Sequence, residues 1–110
     1  MVTAGPHAPS DCVFRARPDT VQVLLDGGFD VVSLANNHSL NAGREGVLQT
    51  LDTLERSNIR YCGASRDRRG DEAAVLTVGE GPVRVGFLAA TDMSIEHGSY
   101  NKVDADRGNL

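Results

Sequence analysis

Asp30-Val31-Val32-Ser33-Leu34-Ala35-Asn36-Asn37-His38-Ser39 decides how the rest of the chain is read. An apolar run stops abruptly at two amides, an imidazole and a hydroxyl. Val31, Val32, Leu34 and Ala35 fall on both faces of an extended segment, as in a parallel strand covered on both sides. Its C-terminal end then delivers polar groups to the crevice where open α/β sheets bind ligands. Imidazole serves as acid, base or metal ligand, and an amide oxygen can ligate a cation. The same four polar residues also suit an ordinary turn, since Asn and Ser bond their own backbone. In that reading His38 is a partly buried histidine with its needs met. The two readings stand side by side at this point.

Working outward, Pro18 and Asp19 open a helix. Val21, Leu24 and Leu25 give it an apolar stripe, and Gly27-Gly28 offers a left-handed cap. The expected first strand covers residues 29–35. After a loop at 36–43, a second helix is expected over residues 44–57, with Val47, Leu48, Leu51 and Leu54 inward and Asn41 as cap or near-cap. A short strand at 59–62 completes a right-handed βαβ unit. Strands at 74–78 and 83–90, separated by Gly79-Glu80-Gly81-Pro82, form a β-hairpin. The later half of its second strand is apolar on both faces, as in a central strand, and Thr91-Asp92 follows as another strand-end position. Residues 1–13 read as an irregular lead-in and 93–110 as a polar tail. The fold class is α/β: one partial domain over residues 1–110, a βαβ unit followed by a hairpin.

With 110 residues, the chain can form one small domain with a real core. Only 5% of residues are aromatic and there is no Trp, so that core is built from Val, Leu, Ile and Ala. The net charge of −4 and the lack of a basic stripe argue against a nucleic-acid partner. Arg66, Arg68 and Arg69 are broken by Asp67 and Asp71 and read as a solvated loop. Cys12 and Cys62 are too few for a disulfide framework or a cysteine zinc site; two free thiols are expected, with a single disulfide as the alternative. No apolar run is long enough to cross a bilayer, and no signal peptide is expected at the N-terminus.

Other patterns are weak. Gly43-x-x-Gly46 lacks the Lys of a phosphate loop, and Ser39 has no nucleophile-elbow context. Asp92 and Glu96 could form a carboxylate pair but lack further partners. His7 and His97 read as loop residues.

One resemblance is more specific than any of these patterns. Phe14-Arg15-Ala16-Arg17-Pro18, then Gly28 through Ser39, then Gly43, Thr50-Leu51, Gly63-Ala64 and Val83 through Asp92, resemble the bacterial capsule-synthesis CapA family. Its members are also described as poly-γ-glutamate synthesis accessory proteins. The resemblance covers roughly residues 14–92 and is most specific at Ala35 to Ser39. The family in turn resembles calcineurin-like metallophosphoesterases, which implies a sandwich of mixed sheets with a two-metal centre at strand ends. Asn37-His38 matches the Asn-His of their Gly-Asn-His-Asp/Glu motif. The resemblance therefore implies a metal-ligand role for Asn37 and a catalytic acid or transition-state role for His38. Asn36, Ser39 and Asn41 would be the supporting loop. Ser39 stands where those enzymes carry a carboxylate, and Asn41 where the family usually has Asp.

The resemblance further implies divalent metals, an anionic polymer or phosphoester as substrate, and an exported or membrane-associated parent protein. The family's Gly-Asp and Asn-Leu-Glu motifs would precede Met1, and its His-Trp-Gly-x-Glu and Gly-His-x-His motifs would follow Leu110. The chain is accordingly expected to be an internal piece of a longer protein, binding no metal and showing no phosphoesterase activity alone. Its open sheet edges are expected to give marginal stability or self-association. The competing reading is a non-catalytic accessory module of polymer assembly or export.

Overall fold

The computed structural model describes residues 14–66, 74–79, 81 and 83–91. The lead-in with His7 and Cys12, the loop residues Asp67, Arg68, Arg69 and Asp71, and Asp92, Glu96, His97 and the polar tail lie outside the described residues.

A 3-10 turn at Pro18–Thr20 runs into helix α1 at Val21–Asp26. Strand β1 follows at Val31–Ser33, then helix α2 at Gly43–Arg56 and strand β2 at Arg60–Cys62. Strands β3 at Ala74–Val78 and β4 at Val83–Phe87 complete the order. β1 and β2 are parallel, with Val32 opposite Tyr61, so β1–α2–β2 is the expected βαβ unit. β3 and β4 are antiparallel, with Leu76 opposite Val85, and form the expected hairpin. The fold is therefore mixed α/β, in two small sheets.

The same device ends both helices. Gly28 and Asn58 take left-handed backbone at φ 69 and 59. Phe29 N–H bonds Leu24 O and Gly28 N–H bonds Leu25 O; Ile59 N–H bonds Leu54 O and Asn58 N–H bonds Glu55 O, all at 3.0 Å. Each is a Schellman motif, which satisfies the last carbonyls and reverses the chain into the next strand. In the second, Ile59 and Leu54 are both buried, the apolar contact that accompanies the motif.

The core lies along α2. Val47, Leu51 and Ala64 are buried together, with Leu34, Leu40 and Tyr61 packed against them. Leu51 and Leu54 are fully buried, each contributing about 1.5–3 kcal/mol. Buried Thr50 satisfies its hydroxyl by donating to Gly46 O.

Several expectations change. The β1 ladder is shorter than residues 29–35, because only Asp30 to Leu34 find β2 partners: Arg60 N–H bonds Asp30 O, and Leu34 N–H bonds Cys62 O. Among the described residues β1 is covered only in part: Val31 and Val32 are half-buried, and α1 buries none of its residues fully. Asn41 is the near-cap and not the cap of α2: Ala42, which has no polar side chain, occupies the cap position, and the amide oxygen of Asn41 just before it meets Phe14 N–H and His38 Nδ1. β4 stops at Phe87, and residues beyond it are not central: Leu88 is 80% exposed. Among the described residues β4 pairs only with β3. Cys62 is a free, buried thiol.

Candidate functional site

The C-terminal ends of β1 and β2 sit side by side, as parallel strands require. They approach so closely that Gly63, at φ +82, leaves no room for a side chain. A Cβ there would stand 2.6 Å from both Cβ and N of Ala35. The turn carrying the polar run starts at this contact.

Asn36 and Ser39 build that turn. Asn36 Oδ1 accepts the His38 backbone N–H at 2.9 Å, an Asx turn. Ser39 Oγ donates to Leu34 O and accepts the Asn36 N–H, while Ser39 N–H bonds Asn36 O. Asn41 N–H then bonds His38 O, and Gly43 N–H bonds Leu40 O, carrying the chain into α2. Backbone bonding thus accounts for Asn36 and Ser39, and leaves Asn37 and His38 as the residues displayed. Both are half-buried.

Three contacts hold the His38 ring and its neighbour. Its Nδ1 lies 3.0 Å from Asn41 Oδ1. The Phe14 backbone N–H donates to the same oxygen at 3.0 Å. The Phe14 ring meets the imidazole edge-on, with centroids 4.4 Å apart and planes at 81°. Sequence reasoning did not find this role for Phe14, since nothing local links residues 14 and 41.

Beyond the strand ends, the loop after β2 is tied to α2. Arg66 Nη2 reaches Asp52 Oδ1 at 2.6 Å and Glu55 Oε2 at 2.7 Å. Tyr61 donates its hydroxyl to Glu55 Oε1 at 2.6 Å, and Arg44 donates to Arg66 O. Arg66 is therefore tied to α2 by two carboxylates one helical turn apart, while its side chain stays 44% exposed, as the solvated-loop expectation has it. Hydrogen bonds from Arg66 and then Tyr61 hold the Glu55 carboxyl below its ordinary value. Burial, followed by the bond to Glu55, pushes the Tyr61 phenol up to about 12. The Arg66 guanidinium is pushed up by its bonds to Glu55 and Asp52. An acidic pair at helical spacing was visible in the sequence, but that signal alone also describes a solvated helix face.

As for a metal, among the described residues no three His, Cys, Asp or Glu side chains converge. One amide oxygen from Asn37 does not make a binuclear centre, so these residues do not fit one by themselves. No helix among them is long and apolar enough to cross a membrane.

A parallel βαβ unit with a polar turn after its first strand defines a small mixed α/β module. The chain belongs to the bacterial capsule synthesis protein family PGA_cap, whose family model matches residues 1–109. It is 31% identical over 77 residues to the Capsule biosynthesis protein CapA of Bacillus anthracis, covering 70% of this chain and 18% of that protein. It is 36% identical over 84 residues to a Probable polyglutamine synthesis accessory protein of Mycobacterium tuberculosis, covering 74% and 22%. The PGA biosynthesis protein CapA of Bacillus subtilis is 26% identical over 88 residues, covering 80% and 23%. The chain thus spans about a fifth of the length of these curated relatives. No solved structure matches it.

Proposed function

We propose that the chain serves the synthesis of a bacterial capsule or poly-γ-glutamate polymer, and that Asn37-His38 is part of a phosphoester-processing site in the larger protein. Family membership and the relatives' names support the biological role. The observation that carries the chemical part is the fixed imidazole at the β1 strand end, held through Nδ1 by Asn41 and by a T-shaped contact with Phe14. An immobilised imidazole is suited to give or take a proton beside a phosphoryl group. Asn37 would supply one amide oxygen to a divalent metal centre completed by residues beyond those described. An anionic polymer or a phosphoester is the substrate class that such a centre would take.

The second reading is an accessory role in polymer assembly or export, with the turn serving as structure. It is favoured by the extent to which Asn36 and Ser39 are used up in holding the turn. Polymer yield separates the two in cells that make the protein. Disruption of the gene should abolish or sharply reduce polymer. Complementation with His38→Ala should leave polymer at least tenfold below wild type at equal protein level. Full complementation by His38→Ala would leave the accessory reading standing, and unchanged polymer after disruption would remove both.

A further inference from the structure

We infer that Asn41 is a positioning residue that dictates which nitrogen of His38 carries the proton. The argument begins at Phe14. Its backbone N–H can only donate, so the atom 3.0 Å away must be the amide oxygen of Asn41 and not the nitrogen. That removes the usual ambiguity of an amide side chain. The same oxygen lies 3.0 Å from His38 Nδ1. An amide oxygen accepts and never donates, so Nδ1 must hold the hydrogen. One oxygen has two lone pairs and can serve both donors. Neutral His38 is therefore the Nδ1–H tautomer, and Nε2 is its basic nitrogen.

The surroundings reinforce this choice. The His38 backbone N–H donates to Asn36 Oδ1, and the Asn41 N–H donates to His38 O, so imidazole and amide are held on one turn. The Phe14 ring adds a T-shaped aromatic contact with the imidazole. An Asp at position 41 would offer the same acceptor; Asn keeps the geometry and gives up the charge. For function the inference rests on the reading of His38 proposed above: any proton exchanged with a bound group would pass through Nε2.

The test is the nitrogen spectrum of His38 in the full 110-residue chain, with His7→Gln and His97→Gln so that one imidazole remains. Once the spectrum shows a neutral ring, Nδ1 should give the pyrrole-type shift and Nε2 the pyridine-type shift. Asn41→Asp should keep that pattern because the acceptor is retained. Asn41→Leu should reverse it to Nε2–H, the form that isolated histidine side chains favour. If Asn41→Leu fails to fold, Asn41→Ala is read in the same way. A wild-type spectrum of the Nε2–H kind, or an unchanged pattern on loss of the acceptor, overturns the inference. No substrate enters the measurement, so its failure is distinct from a failure of the polymer assay.

Discussion

At the scale of single residues, Gly63 shows how tightly the strand ends are joined. Its left-handed backbone and the 2.6 Å approach of Ala35 both exclude a side chain. Gly63→Ala should lower the unfolding free energy by about 2–4 kcal/mol, combining backbone strain with a forced shift of Ala35. Gly79 has a similar φ of +74 but open space around it, so Gly79→Ala should cost only about 1–2 kcal/mol. Urea titration of the two variants checks this. Equal losses would mean that the close approach is relaxed in solution. Residue roles in the turn were only partly legible beforehand. The polar run was visible as a strand end, but its division of labour was not. Asn41 looked like a helix cap because Asn commonly caps helices. Its competing donor, the Phe14 N–H, is 27 residues away and leaves no local trace.

At the scale of elements, the β1–α2–β2 unit was legible because three signals agree: an apolar run, an apolar helical stripe, and a second short strand. The ends of strands were less legible. Apolar letters continue past Phe87 and before Val31, but a ladder extends only as far as a neighbour supplies partners. The clasp of Arg66, Glu55 and Tyr61 predicts a pH profile. Glu55 sits below its ordinary value, so its contribution is present above about pH 4.5 and is lost as pH falls through the lowered range. Both partners are nearly half exposed, so solvent screening keeps that share to about 0.5 kcal/mol. Tyr61 is raised, so its contribution is intact below pH 10 and is lost as pH rises toward about 12. Denaturation midpoints measured across pH should therefore fall at both extremes. Tyr61→Phe should flatten the alkaline limb and Arg66→Ala the acid one. An alkaline limb unchanged by Tyr61→Phe would assign it to another group.

At the scale of the whole molecule, the hairpin is anchored at one end and bare at the other. Ala74, Leu76 and Val78 of β3 share a face with Phe87, Val85 and Val83 of β4. Ala74 is buried, whereas Val78 and Val83 are more than half exposed at the turn. With β4 unpaired on its outer side among the described residues, the chain should associate as its concentration rises. Val83→Lys should shift it toward monomer in sedimentation equilibrium. A wild-type chain that stays monomeric at high concentration would contradict this. The bond between Phe14 and Asn41 bears on a different matter, the order of folding. It closes a separation of 27 residues, while Val31 meets Arg60 across 29 in the pairing of β1 with β2. The two closures carry similar chain entropy, so loop length sets no order between them. Docking of the N-terminal segment is then a step of its own beside the assembly of the helix and its two strands. His38 would receive its final proton arrangement only when that segment arrives, making its imidazole a reporter of N-terminal docking.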